Sequence, residues 1–203
     1  GGTGFSYVYS IAQAIAAAGV KRPVFLYWGV RHEEALYHMP ELQQWASTHH
    51  DFKLVPVVQS PSDNWQGRSG LVHQAVLEDF VSLEAYDIYI AGPFAMAGVV
   101  RDAFIEQQFA VLESASQQGS LNALMQLSQM HYSQNYSENG RVQAYAINQM
   151  ILELTQDNDL YNKYSWFQQK AQTELTPEEI DSALVMSQQW LDIIKTNGTL
   201  YLQ

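Results

Sequence analysis

Gly1-Gly2-Thr3-Gly4-Phe5-Ser6-Tyr7 opens the chain, and Val8 to Ala18 continues it as an alanine- and isoleucine-rich helix pattern. Glycine has no Cβ, so a turn of this kind lets backbone amides approach a phosphate closely. The helix behind it aims its free N–H groups and the positive end of its dipole at the same point. Alone, a glycine turn before a helix is also ordinary punctuation. The decision comes from the segments that follow.

Gly19 ends the first helix pattern. Pro23 to Val30 reads as a buried strand, Arg31 to Thr48 as a helix, and Phe52 to Val58 as a second strand. Ser60–Asn64 is loop. Gly67-Arg68-Ser69-Gly70 leads into a helix over Leu71–Val81. Asp87–Ala91 reads as a short strand, followed by Gly92-Pro93 and a helix from Phe94 to about Glu106. Strands alternating with helices predict a parallel, doubly wound α/β sheet. Ligands of such sheets sit beyond the carboxyl ends of the strands. The turns at Gly1–Gly4, Trp28–Arg31, Gly67–Gly70 and Gly92–Pro93 are expected to be neighbours there.

The segments GGTGFSY (1–7), YWGVR (27–31), GRSG (67–70) and DIYIAGPFAMA (87–97), in that order and spacing, resemble the nicotinamide-binding half of the ferredoxin-NADP reductase superfamily. The resemblance is greatest to the bacterial NAD(P)H-flavin reductases. It implies that Gly2, Thr3 and Gly4 line a pyrophosphate, with Ser6 near the cofactor. Gly29 and Arg31 would flank the adenosine ribose, Arg31 being able to meet a 2′-phosphate. Gly92, Pro93 and Phe94 would lie near the nicotinamide. The implied cofactors are NADPH or NADH, and a flavin (FAD or FMN) for which no site is visible here. In such proteins an apolar strand precedes the glycine turn and another follows the last helix. Neither is seen in this sequence, so either these pieces lie outside it or the domain is a remnant completed by a partner. Hydride transfer to a flavin needs a flavin site, so a flavin-binding domain or subunit is the expected partner.

Beyond about Gln107 glycine and proline thin out, and glutamine, leucine, alanine and serine dominate. Helices are expected over Phe109–Gln118, Leu121–Tyr132, Arg141–Leu154, Leu160–Glu174 and Pro177–Thr196. Thr176, Pro177 and Glu179 form a helix start with a capping box. Ala115, Gly119, Ala123 and Leu127, then Arg141–Ala146, then Leu175–Ala183 with Trp190, are similar to Sel1-like repeats of the tetratricopeptide kind. That implies a short α-solenoid that binds a protein partner. The expected organisation is therefore α/β over 1–107 and all-α over 108–203.

Formal net charge is −11, and both parts are acidic: 6 basic against 11 acidic residues in 1–107, and 4 against 10 in 108–203. No basic patch favours nucleic acid or an anionic membrane. There is no cysteine, which removes disulfides and thiolate chemistry. No run is long and apolar enough for a membrane span, no signal peptide is visible, and a cytoplasmic location is expected. The six histidines (32, 38, 49, 50, 73 and 131) lack metal-ligand spacing, so no metal site is expected. Two functions stay open. One is the nicotinamide-binding part of a flavin or ferredoxin-type reductase. The other is a Sel1-like adaptor carrying a truncated or inactive reductase domain, or an artificial fusion of the two.

Overall fold

The computed structural model describes residues 4–133 and 139–197. Gly2 and Thr3, two of the residues expected at the pyrophosphate, lie outside the described residues. The chain divides into two compact units, Gly1–Gln108 and Phe109–Gln203.

In the first unit α1 (Gly4–Ala17) leads through Gly19 into β1 (Val24–Val30). After a single 3₁₀ turn at Glu33–Ala35 comes α2 (Met39–Thr48), then β2 (Phe52–Val58), β3 (Arg68–Ser69) and α3 (Val72–Asp79). The sheet order is β1-β2-β3, and both pairings are parallel. β1 and β2 are in register along their full length, from Val24 opposite Phe52 to Val30 opposite Val58. Alternation sorts β1 onto two faces. Leu26, Trp28 and Val30 join Phe5, Ala12 and Leu42 in one core, while Tyr27 packs with Val55, Val57, Val72 and Ala75 in another. A sheet covered on both faces needs such nearly continuous apolar strands.

Three expectations change here. Arg31–Thr48 is not one helix. Pro40 cannot sit in a helix interior, so it occupies the first turn of α2, and His38 precedes it in the left-handed region at φ 56°. Asp87–Ala91 forms no strand, and Ile88, Tyr89 and Ile90 are exposed. Its residues are of strand type, but among the described residues no strand pairs with it to complete a ladder. The helix expected to stop near Glu106 continues: α4 spans Phe94–Gln117. The change of composition at Gln107–Gln108 brings no glycine or proline to break it.

In the second unit α5 (Leu121–Ser133), α6 (Gly140–Leu154), α7 (Asn158–Gln172) and α8 (Pro177–Asn197) follow. α6 packs against α5, α7 and α8. Ten of its 15 residues are buried, so it is the interior helix of the unit, with Arg141 and Glu153 on its exposed side. Leu124, Leu127, Met150, Ile151, Leu191 and Ile194 form the main core. Ser128 Oγ donates to Asn148 Oδ1 at 2.6 Å, satisfying two buried polar groups at once. Asp157 caps α7 by accepting from the N–H groups of Asp159 and Leu160. The capping box of α8 forms as expected. Thr176 N–H donates to Glu179 Oε2 at 2.8 Å, and Glu179 N–H to Thr176 Oγ1 at 3.3 Å.

Candidate dinucleotide site

The carboxyl ends of β1 and β2 gather the turns of the first unit. α1 starts there because Phe5 lies flat on Trp28, ring centroids 3.8 Å apart, with Tyr37 edge-on to both. Trp28 is only 2% exposed, so this stack fixes the helix start to the strand end. Gly4 then meets the turn before α4. A Cβ on Gly4 would lie 2.8 Å from the amide nitrogen of Gly92 and 2.9 Å from its Cα. No side chain fits between two backbones that close. Gly29 is similar: its Cβ would lie 2.7 Å from Cβ of Val72 at the start of α3. Gly70 N–H donates to the carbonyl of Val58, the last residue of β2, at 2.9 Å. Gly4, Gly29, Gly70 and Gly92 thus share one edge of the sheet.

The remaining expected residues fall as follows. Ser6 lies in the first turn of α1, its carbonyl accepting from Ser10 Oγ. Pro93 precedes α4, and its carbonyl accepts from Ala97 N–H. Phe94 begins α4 and is 96% exposed. Arg31 follows β1 and is exposed, with no carboxylate partner among the described residues. Its neighbour Glu33 is engaged otherwise, accepting from Ser62 N–H at 2.7 Å.

One network was not legible from residue types. Tyr27 Oη donates to Asp79 Oδ2 at 2.5 Å, and Arg68 pairs with Asp79 and Glu78 at 3.0 Å each while donating to the Ala75 carbonyl. Burial, and then the Asp79 carboxylate, push the Tyr27 phenol far above its ordinary value, so it stays a proton donor. The network ties β1, β3 and α3 together and sets where the turn at Gly67–Gly70 stands. Residues so far apart in sequence gave no spacing signal.

An arrangement of bare backbone, a helix start and a free guanidinium suits a phosphate-bearing ligand. Known proteins agree in kind. The NAD(P)H-flavin reductase of Vibrio harveyi is 49% identical over 113 residues, which are 56% of this chain and 48% of that protein. The NAD(P)H-flavin reductase of Aliivibrio fischeri is 46% identical over the same shares. The CDP-6-deoxy-L-threo-D-glycero-4-hexulose-3-dehydrase reductase of Yersinia pestis is 37% identical over 110 residues, 54% of this chain and 33% of that protein. The chain spans about half the length of the two flavin reductases it matches. Residues 1–102 match the family described as the oxidoreductase NAD-binding domain. With that match covering half of its residues, the chain belongs to the oxidoreductase NAD-binding domain family.

Proposed function

We propose that residues 1–107 bind NADPH or NADH as the nicotinamide-binding part of a flavin reductase. The supporting observation is the close approach of Gly4 to the backbone of Ala91 and Gly92, which leaves no room for a side chain on Gly4. The cradle fits a pyrophosphate: the first amides of α1 have no partner within the helix, and its dipole favours an anion there. Gly2, Thr3 and Gly4 line the pyrophosphate, with Ser6 beside it. Gly29 and Arg31 take the adenosine ribose, the guanidinium meeting a 2′-phosphate where one is present. Gly92, Pro93 and Phe94 hold the nicotinamide end. The bound dinucleotide supplies a hydride to a flavin carried by a partner domain or subunit; the residues of this chain bind and orient it. Residues 108–203 serve as a protein-binding module of the Sel1-like kind. Exposed Trp166, Val185 and Ile193 support that part of the reading.

Calorimetric titration of the protein with NADPH and NADH tests the assignment. Saturable binding by at least one, abolished by Gly4→Val, is expected. No binding of either at millimolar concentration sinks it.

A further inference from the structure

In the helical unit α7 hides one stripe and shows another. Tyr164, Gln168 and Ala171 are its buried residues, and α6 is the helix it packs on. Counted round the helix, Lys163, Trp166, Phe167 and Lys170 share a second arc of about 100°, and all four are exposed. Trp166 is 58% exposed. Its ring meets Phe167 edge-on at 5.2 Å. Lys170 Nζ lies 5.6 Å from the centre of the Trp166 ring and 5.9 Å from that of Tyr132 on α5. Residues 108–203 carry only four basic residues against ten acidic ones. Two of the four stand on this face, and neither has a carboxylate partner among the described residues. The result is an aromatic pair flanked by two unneutralised ammonium groups.

α8 carries the opposite pattern. It buries Ala183, Ser187, Leu191 and Ile194. On its far side Asp181, Val185, Gln188 and Asp192 share an arc of about 60°, and all four are exposed. Val185 is 59% exposed. Neither aspartate has a basic partner among the described residues. Lys195, the one cation of α8, lies a turn beyond Asp192. The spacings also match. Lys163 and Lys170 stand about 10.5 Å apart along their helix, and Asp181 and Asp192 about 16.5 Å apart along theirs. With the two patterns centred on each other, each lysine bridges about 3 Å along the axis, which its four-carbon stem spans. Both patterns read alike from either end, so the helices can meet in either direction. Within one chain the two faces do not cover each other, because the residues of both are exposed.

We propose that the Lys163–Trp166–Lys170 face of α7 docks on the Asp181–Val185–Asp192 face of α8 of a second copy of this chain. The inference rests on the reading of residues 108–203 as a protein-binding module and names its partner. The two carboxylates meet the two ammonium groups, and Val185 covers the Trp166–Phe167 pair, an aromatic anchor of the kind that dominates interface energy. The contact joins unlike patches, so it is heterologous. A net charge of −11 opposes the approach of two copies, which keeps the association weak and makes it depend on the local match of charge.

Sedimentation of the full chain between micromolar and millimolar concentration tests it. The average mass is expected to rise with concentration. The double variant Lys163→Glu, Lys170→Glu sets like charges against each other, as does the separate double variant Asp181→Lys, Asp192→Lys. Each is expected to weaken association about tenfold or more. An equal mixture of the two is expected to associate again, because each supplies the face that complements the other's altered one. A chain that stays monomeric throughout overturns the proposal. So does association that either double variant retains in full, or that mixing fails to restore while circular dichroism shows both variants folded. Should a double variant not fold, Trp166→Ala decides with all charges intact: weakened association is expected, and unchanged association overturns the proposal. None of these results decides whether residues 108–203 bind some other protein, so the module reading stands or falls apart from this face.

Discussion

In the proposed site, Arg31 is the residue that would divide the two cofactors. Its guanidinium is exposed at the end of β1 with no carboxylate partner among the described residues. Nothing must be broken before it meets an anion, and a charge-assisted, two-pronged contact to a phosphate is among the stronger hydrogen bonds available. Arg31→Ala is expected to raise the Kd for NADPH about tenfold and leave that for NADH nearly unchanged. Titration of both cofactors against both proteins checks this, and an equal loss for the two would separate Arg31 from the 2′-phosphate. The glycines were legible by type and order, because only a residue without Cβ permits the contact between Gly4 and Gly92. The Tyr27–Asp79–Arg68 network was not. Its members are ordinary residues at ordinary positions, and only the register of β1 against α3 brings them together.

At the scale of elements, local chemistry was the most readable part. Thr176 and Glu179 announce the start of α8, and both hydrogen bonds of the box are present. Thr176→Ala removes the side-chain acceptor for Glu179 N–H and is expected to destabilise the helical unit by about 1 kcal/mol. Denaturant unfolding followed by circular dichroism measures it; a change under about 0.3 kcal/mol would mean the cap is redundant. What failed were judgements that depend on neighbours. Asp87–Ala91 has the residue types of a strand, but a strand exists only with a partner. The shift of composition at Gln107–Gln108 suggested an end, while α4 continues for want of a breaker. The reverse occurred at Pro40, where apolar spacing suggested a helix already under way and the proline ring moved its start to Met39.

For the whole molecule, each unit has its own core, so unfolding need not be a single transition. His131 belongs to the helical unit and is buried against Phe109, and burial holds its pKa below the ordinary 6.5. Above pH 6.5 it is neutral folded or unfolded and contributes no pH dependence. As pH falls below that, the unfolded chain takes the proton first, and the helical unit loses stability until the folded pKa is passed. Calorimetry between pH 7.5 and 5 is expected to show two heat-absorption peaks. Acid should lower one of them by a margin that His131→Gln reduces, and NADPH should raise the other. A single peak moved by both would refute this division. The Phe5–Trp28 stack carries an optical corollary. Indole emits at wavelengths that a reduced nicotinamide ring absorbs, and this indole is buried beneath the residue that follows Gly4. The protein therefore has its own lamp beside the corner, and occupancy there is readable as transferred light without any added label.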